Sequence, residues 1–326
     1  MSDREIGARI GSPADPGVPL RRFSHRAMGS IFEIFMIEEN PAYAYDAARA
    51  CFEELDRLEE ELSRFLPSSD VSRINSLAPG QRIRVGLAAM ECLKLAAQVN
   101  ADTNGAFDVT VGAILKCLRA AHDGKPDEGD LARALALTGM SLLEIDASGH
   151  SVGVRKSGVL IDLGAVGKGY ALDRMAELLR DWSIPNAVLH GGQSSALAIG
   201  NPPGRKGWPL TLRDPQNDSG SLGHISLSDA SLSGSGILLQ GHHIVDPRTG
   251  RPATEKLGAW CAAPSGALSD CLSTAFMLMS PLEIERYSRQ HPGVSAMIML
   301  SENDGRTIMR FGASGPAFLE EDRSKP

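Results

Sequence analysis

The chain has 326 residues, of which 42% are hydrophobic, enough to fill the core of one large domain or two modest ones. Lys and Arg number 33 against 40 Asp and Glu, a net charge of −7. That charge disfavours a general affinity for nucleic acid, whose phosphodiester backbone attracts basic surfaces. The composition is that of a globular protein.

Residues 1–20 mix charged residues with Gly and Pro, and they lack the continuous apolar stretch of an export signal. We therefore expect a flexible leader there and a cytoplasmic protein. No apolar run reaches the roughly 20 residues that a membrane-spanning helix needs. The five cysteines are widely spaced and form no CxxC pair, so we expect small buried side chains rather than a disulfide framework or a zinc site.

The first third of the chain carries mainly helical periodicity. Residues 22–37 contain enough alternating apolar positions to predict a strand. Apolar residues then recur every three or four positions over 43–65, which predicts one long amphipathic helix. Further helices are predicted at 87–101, 108–121 and 130–137. The polar loop 121–129 is a candidate seam between two lobes, because helices give way to strands there.

The rest of the chain alternates short strands with a few helices. Strands are predicted at 142–145, 151–154, 159–161, 187–190, 196–199, 210–212, 224–227, 243–245, 259–262, 294–300 and 306–310. Helices are predicted at 168–180, 268–278 and 281–290. This mixture predicts an α+β protein.

The segment IDLGAVGKGYALD, residues 161–173, places Asp162 at a strand end and Lys168 in the first turn of a helix. A turn of small residues lets backbone N–H groups approach an anion, and a helix N-terminus favours negative charge. Phosphate is the ligand that suits this arrangement. A tight strand-to-helix connection capped by Asp162 explains the same residues, and the spacing alone does not decide between the two.

Asp270 and Thr274 in LSDCLSTAFMLM lie four residues apart on a predicted helix, so their oxygens share one face. A carboxylate and a hydroxyl are hard oxygen ligands of the kind that Mg²⁺ prefers. The alternative is structural, with Asp270 capping the helix and Thr274 bonding back to the preceding turn.

Two further motifs have both a structural and a functional interpretation. In GHHIVDPRTGRP, residues 241–252, the sequence around Asp246 predicts a turn, while Arg248 suits a phosphate and His243 suits proton transfer. In NGAFDVTVG, residues 104–112, Phe107 fits the core and Asp108 fits a helix N-cap. Flavin contacts would explain the same two residues.

The order of these motifs carries more information than any one of them. The segments AMGS, ELSRF, SRIN, GAFDVTVG, IDLGAVGKGYALD, HGG, HHIVDPRTG and SDCLSTAF follow one another between residues 27 and 276. In that order they resemble the ApbE-like FAD:protein FMN transferases, with similarity from about residue 22 to 300. The resemblance implies a T-fold-like α+β domain over 21–326 with FAD bound in a cleft.

The resemblance also implies an activity and a set of residues. The activity is Mg²⁺-dependent transfer of FMN from FAD to a Ser or Thr hydroxyl of an acceptor redox flavoprotein, with release of AMP. The residues similar to FAD contacts are Met28, Phe65, Ala106, Phe107, Asp108, Asp162, Lys168 and Ile244. Those similar to Mg²⁺ ligands are Ala165 through its carbonyl, Asp270, Ser273 through its carbonyl, and Thr274. His243 and Asp270 are the expected catalytic residues.

Two segments depart from the family pattern. Gln193 follows Gly191 and Gly192 where we expect an acidic residue, and the stretch 233–242 is shorter and poorer in aromatic residues than the usual hairpin. Two alternatives therefore stay open: a noncatalytic flavin-binding or assembly protein of the same fold, and an FAD pyrophosphatase that yields FMN and AMP. The sequence names neither the acceptor protein nor the oligomeric state.

Overall fold

A computed structural model describes residues 8–10, 19–121, 126–214, 217–237, 244–302, 305–312 and 318–319. Its first long element is a hairpin of β2 (Leu20–Ala27) and β3 (Ser30–Ile37), preceded by β1 (Ala8–Ile10). The single strand predicted over 22–37 is wrong, because Met28 and Gly29 have φ of 51° and 70°. Two positive φ values in succession reverse the chain in a two-residue turn.

Helices dominate the next hundred residues. They are α1 (Pro41–Leu62), α2 (Asp70–Asn75), α3 (Leu87–Asp102), α4 (Gly112–Ala120) and α5 (Glu128–Leu135). The N-cap of α1 is Asn40, whose side chain accepts hydrogen bonds from the backbone N–H groups of Ala42 and Tyr43. The helix predicted from Asp108 begins instead at Gly112, because residues 109–110 form a turn and Val111 forms a bridge with Leu160. Strand β4 (Arg82–Arg84) pairs with β6 (Ser151–Val154), which also pairs with β5 (Leu143–Asp146).

The remaining elements follow the predicted order except at three places: β11 and β15 were not predicted, and the strand predicted at 243–245 is represented, in the part of it that is described, by a single bridge from Val245 to Pro252. They are α6 (Gly167–Asp181), β7 (Ala187–Gly191), β8 (Ser195–Ile199), β9 (Trp208–Asp214), β10 (Asn217–Leu227), β11 (Ala230–Gly236), β12 (Lys256–Ala263), α7 (Gly266–Phe276), α8 (Pro281–Gln290), β13 (Ser295–Glu302), β14 (Gly305–Phe311) and β15 (Phe318–Leu319). The strand predicted at 159–161 is reduced to a single parallel bridge between Leu160 and Val111.

Eight strands form one antiparallel sheet in the order β14, β13, β12, β11, β8, β7, β3, β2. Helices α1, α3, α6 and α7 pack on one face and enclose the larger core. A second sheet, in the order β1, β9, β10, β15, packs on the other face around Trp208 and Trp260. The prediction of an α+β architecture is confirmed.

The other expectations have mixed outcomes. Cys51, Cys92, Cys261 and Cys271 are buried as predicted, whereas Cys117 is half-buried. Helices α4 and α5 pack together around Ile114 on either side of the loop 121–129, and the lobe seam stays a prediction. Among the described helices, none is long and apolar enough to cross a membrane.

Candidate active site

A cavity of about 710 Å³ opens on the helix-covered side of the large sheet. All eight residues predicted to contact FAD lie on its wall: Met28, Phe65, Ala106, Phe107, Asp108, Asp162, Lys168 and Ile244. Of the predicted metal ligands, Ala165, Asp270 and Thr274 lie on the wall and Ser273 does not. His243 lies outside the described residues. Segments from Met28 to Leu278, near the two ends of the domain sequence, therefore meet around one space.

The segment before α6 is held in place by side chains from elsewhere. Asn75 accepts a hydrogen bond from the Ile161 N–H at 2.6 Å and donates to the Ile161 carbonyl at 3.0 Å. The Asp162 carboxylate accepts from the Gly164 N–H at 2.9 Å and forms an ion pair with Arg64. Helix α6 has Val166 as its N-cap, without a side-chain cap. The interpretation of Asp162 as the cap of α6 is therefore wrong.

Lys168 lies in the first turn of α6, where the sequence predicts it. Its ammonium nitrogen is 3.5 Å from the Gly164 carbonyl oxygen. None of the carboxylates that the structure describes forms an ion pair with it. A half-buried cation on the cavity wall without an acidic partner suits an anionic ligand.

The Asp108 carboxylate is 8% exposed and is bonded on several sides. It accepts from the Thr110 N–H at 2.7 Å, the Thr110 hydroxyl at 2.6 Å, the Met140 N–H at 3.0 Å and the Asn100 amide at 3.2 Å. Burial raises its pKa, although these hydrogen bonds act in the opposite direction. Asp108 is not an N-cap, because Val111 occupies that position of α4. Its hydrogen bonds connect this part of the cavity wall to Asn100 of α3 and to the segment at Met140.

Helix α7 presents Asp270 and Thr274 to the cavity, one turn apart. Its N-cap is Ser265, so the interpretation of Asp270 as a cap is wrong. Asp270 is 5% exposed. One carboxylate oxygen accepts from the Gly169 N–H at 3.0 Å, and the other accepts from the Ser195 hydroxyl at 3.1 Å.

Helices α6 and α7 cross at very close range. A Cβ atom on Gly169 would overlap the Gly266 carbonyl oxygen, so a larger residue cannot occupy position 169 without moving the helices apart. Asp173, one turn later on α6, accepts from the Gly266 and Ala267 N–H groups at 2.6 and 2.8 Å. Burial raises the pKa of Asp173 to about 6. These contacts bring the Gly169 N–H within reach of Asp270.

The oxygen atoms around Asp270 are suited to binding a cation. No Lys or Arg within the described ranges forms an ion pair with this buried carboxylate, and a buried charge is unfavourable without a partner. The Thr274 hydroxyl lies on the same helix face. Among the residues with defined positions, no group of three or more His, Cys, Asp or Glu side chains comes together as a metal cluster. A cation here would depend on one carboxylate, a hydroxyl and backbone carbonyls, as Mg²⁺ sites often do.

The turn after position 243 has a structural role that the sequence analysis left open. Arg248 directs its guanidinium at both carboxylate oxygens of Asp246, at 2.9 and 2.8 Å. The same carboxylate accepts from the Arg248 N–H at 2.9 Å. The interpretation of Arg248 as a phosphate ligand stays a prediction, because its guanidinium is bonded to Asp246 here and does not line the cavity. Ile244 and Pro247 supply the cavity contacts of this turn instead.

The two segments that depart from the family pattern lie beside Asp270. Arg213 of β9 donates to the side-chain oxygen of Gln193, which links the Gly-Gly turn to the second sheet. Ser195, two residues later, bonds to Asp270. The stretch 233–242 begins inside β11, which carries Gly234, Ser235 and Gly236 along the cavity wall, and its residues 238–243 are outside the described part.

Several wall residues escaped the sequence analysis. Arg64 pairs with Asp162 and lies 4.7 Å from the Phe65 ring centroid, and Phe65 is 78% exposed at the cavity mouth. Arg119 is an exposed cation one turn after Leu115 on α4. Arg64 could have been identified from the sequence, because it belongs to the ELSRF motif. Arg119 and Ser235 carried no signal, because only the folded chain brings them to the cavity wall. The same holds for Ser195, which bonds to Asp270 without lining the cavity.

Comparisons with known proteins agree with this arrangement. The FAD:protein FMN transferase of Klebsiella pneumoniae (strain 342) is 27% identical over 316 residues, which cover 90% of this chain and 88% of that protein. The flavin transferase ApbE from Vibrio cholerae matches in fold with a TM-score of 0.81 at 24% identity, covering 91% of this chain and 98% of that one. The ApbE protein from Thermotoga maritima matches with a TM-score of 0.78 at 27% identity, covering 90% and 97%.

The family model described as the ApbE family matches residues 28–298. That range holds every cavity segment discussed above and most of the chain. The resemblance inferred from the order of the motifs is therefore confirmed, and the chain belongs to the ApbE family.

Proposed function

We propose that this chain is an Mg²⁺-dependent FAD:protein FMN transferase that moves FMN from FAD to a Ser or Thr hydroxyl of an acceptor flavoprotein and releases AMP. Transfer of FMN from FAD is the activity that its curated relatives are named for. The observation that carries the proposal is the gathering of all eight expected FAD residues, with Asp270 and Thr274, around one cavity.

In this proposal the cavity binds FAD by its diphosphate and its rings. Lys168 has no acidic partner among the described residues and holds a phosphate oxygen. The small residues before α6 let the backbone approach the diphosphate. Phe65 and Met28 provide apolar surface for a ring at the mouth, and Phe107 and Ile244 provide it deeper in the cavity. Asp108 and Asp162 keep these segments in place and accept hydrogen bonds.

The Mg²⁺ ligands in the proposal are the Asp270 carboxylate, the Thr274 hydroxyl and the carbonyls of Ala165 and Ser273. When bound, the ion neutralises charge on the diphosphate and on the departing AMP. Ser195 and the Gly169 N–H orient the carboxylate that would hold it.

The chemistry is a displacement at phosphorus. The acceptor hydroxyl oxygen forms a bond to the FMN-side phosphorus, the bond from that phosphorus to the bridging oxygen breaks, and AMP leaves with the bridging oxygen. The hydroxyl proton passes to a base, a role that we assign to His243. The exposed mouth beside Phe65 gives an acceptor protein access.

A cytoplasmic location of this protein and of its acceptor is part of the same proposal, and cell fractionation tests it.

The proposal is tested by incubating the protein with FAD, MgCl₂ and a co-expressed redox flavoprotein as candidate acceptor. Intact-protein mass spectrometry should find one FMN phosphoester on the acceptor, and chromatography should find AMP in equal amount. His243→Ala should slow transfer more than it weakens FAD binding. AMP with free FMN and no adduct would instead indicate a pyrophosphatase. Tight FAD binding without AMP, across several acceptors, would indicate a noncatalytic flavin-binding protein.

A further inference from the structure

A ladder of hydroxyl groups joins strand β11 to helix α7. Ser231, Ser233 and Ser235 alternate along β11 and so share one face, and that face meets the hydroxyls of α7. The Oγ–Oγ distances are 3.0 Å for Ser231–Ser269, 2.8 Å for Ser233–Ser269, 2.9 Å for Ser235–Ser273 and 3.2 Å for Ser235–Thr274. Ser235 and Thr274 lie on the cavity wall. The ladder thus has an inner part, Ser231, Ser233 and Ser269, and an outer part, Ser235, Ser273 and Thr274, which reaches the cavity wall.

The outer hydrogen bonds have a defined direction. Ser273 donates its one hydroxyl hydrogen to the Asp270 carbonyl at 3.0 Å, and a carbonyl oxygen can only accept. Ser273 must then accept from Ser235 at 2.9 Å. That contact uses the one hydrogen of Ser235, so Ser235 must accept from Thr274 at 3.2 Å. The hydrogen of Thr274 therefore points away from the cavity, towards β11.

We infer that Ser235 is a positioning residue that sets the orientation of the Thr274 hydroxyl, so that its oxygen lone pairs face the cavity. This inference rests on the proposed function, in which Thr274 is an Mg²⁺ ligand. A hydroxyl can coordinate a cation only through its lone pairs. By accepting the Thr274 hydrogen, Ser235 keeps Thr274 as an acceptor towards the cavity before any ion arrives.

The inner part of the ladder supplies a matched control. Ser233 is fully buried on the same face of β11, and its hydroxyl bonds to Ser269. Ser269 donates to the Gly266 carbonyl at 3.0 Å, so this branch ends on the helix backbone. Neither Ser233 nor Ser269 lies on the cavity wall. Ser233→Ala removes a hydroxyl contact between the same two elements without changing the hydrogen-bond direction at Thr274.

The test compares Ser235→Ala, Ser235→Thr and Ser233→Ala with the unaltered full chain. Free Mn²⁺ is measured by electron paramagnetic resonance in titrations of each protein saturated with FAD, with correction for Mn²⁺ held by free FAD. Thermal unfolding of each variant reports the structural cost. We expect Ser235→Ala to raise the Mn²⁺ dissociation constant about tenfold, the lower end of such supporting-residue effects. Ser235→Thr should restore it, and Ser233→Ala should leave it unchanged while lowering the unfolding temperature.

Each other outcome overturns the inference. Equal Mn²⁺ affinity in Ser235→Ala and the unaltered chain would remove the positioning role while leaving the proposed function intact. Equal weakening in Ser235→Ala and Ser233→Ala would make the ladder merely structural. No Mn²⁺ binding by the unaltered chain, together with no AMP release, would overturn the proposed function and this inference together.

Discussion

The two faces of the eight-stranded sheet are built from the same strands but differ in chemistry. Towards the helices, β8 and β11 present Ser195, Ser233 and Ser235, which bond to side chains of α7. Ser231 lies on the same face and donates to the Ala196 carbonyl of β8. Towards the second sheet, the intervening residues are apolar, with Leu232 among them. We call these the helix face and the sheet face. Because side chains alternate along a strand, one strand can position polar groups on one side while its other side stabilises the fold.

The two faces should therefore respond differently to substitution. The polar contacts at the helix face hold side chains of the proposed active site, as Ser195 holds Asp270. Loss of such a contact should therefore change function more than stability. On the sheet face, burial of large side chains dominates, so substitutions there should change stability more than function. Four substitutions test this contrast.

The largest expected effect is on the sheet face, at Trp260. Its side chain is 1% exposed between the two sheets. Trp260→Ala should lower the free energy of unfolding by about 3–5 kcal/mol, because it removes apolar contacts and leaves a cavity. Urea denaturation measures this change. FAD affinity of the protein that stays folded should change less than about twofold. Trp260→Phe is the control and should recover part of the loss; a larger effect on FAD binding than on stability would contradict the contrast.

The next effect is at Asp270 of α7, which contacts Ser195 on the helix face. Asp270→Asn keeps the size of the side chain and removes its charge, so AMP release should fall about a thousandfold. Stability should be unchanged or higher, because the charge has no ion-pair partner among the described residues and Ser195 can rotate its hydroxyl to accept from the new amide. Rates of AMP release and urea denaturation test the two halves of the expectation. Full activity of this variant would remove Asp270 from the proposed metal site.

On the sheet face, His190 should make the stability of the protein depend on pH. This imidazole is buried, its Nε2 atom has no hydrogen-bond partner in the described part of the chain, and burial lowers its pKa to about 4. The unfolded chain has a His pKa near about 6.5 and so binds a proton first as the pH falls. Stability should be complete above about pH 6.5 and should fall by up to roughly 3 kcal/mol as the pH drops to about 4.

Unfolding measured across that pH range, with His190→Leu as the matched variant, checks the assignment. The variant should have a flatter profile between about pH 6.5 and 4, because it removes the buried titrating group. An equally steep profile in the two proteins would place the acid sensitivity elsewhere.

The smallest expected effect is at Ser195 on the helix face. Ser195→Ala removes one of the two hydrogen bonds to the Asp270 carboxylate, so the Mg²⁺ concentration at half-maximal AMP release should rise about tenfold. The free energy of unfolding should fall by only about 1–2 kcal/mol. Ser288→Ala, which removes a buried hydroxyl without a described partner, is the control and should not change the Mg²⁺ dependence. An unchanged half-maximal concentration in Ser195→Ala would show that Gly169 alone orients Asp270.

Local signals account for the parts of the fold that the sequence predicts well. Helix α8 matches its predicted bounds, because Ser280 and Glu283 form a capping box around Pro281. Strand β11 was missed because its Ser and Gly residues have low strand propensity. It is nevertheless paired on both sides, with β8 and β12. The hairpin at Met28 was missed because a Met with positive φ has no sequence signature.

The order of the motifs was enough to identify the family, and all eight residues predicted from it to contact FAD line the cavity. Periodicity also placed Asp270 and Thr274 on one helix face. The interaction partners of the site residues could be read only from the fold. Asp162 forms an ion pair with Arg64 and does not cap a helix, and Asp270 accepts hydrogen bonds from Ser195 and Gly169. Sequence periodicity indicates which face of a helix or strand is buried. The hydrogen-bond partners of a carboxylate, in contrast, come from distant segments that strand pairing and helix crossing bring together.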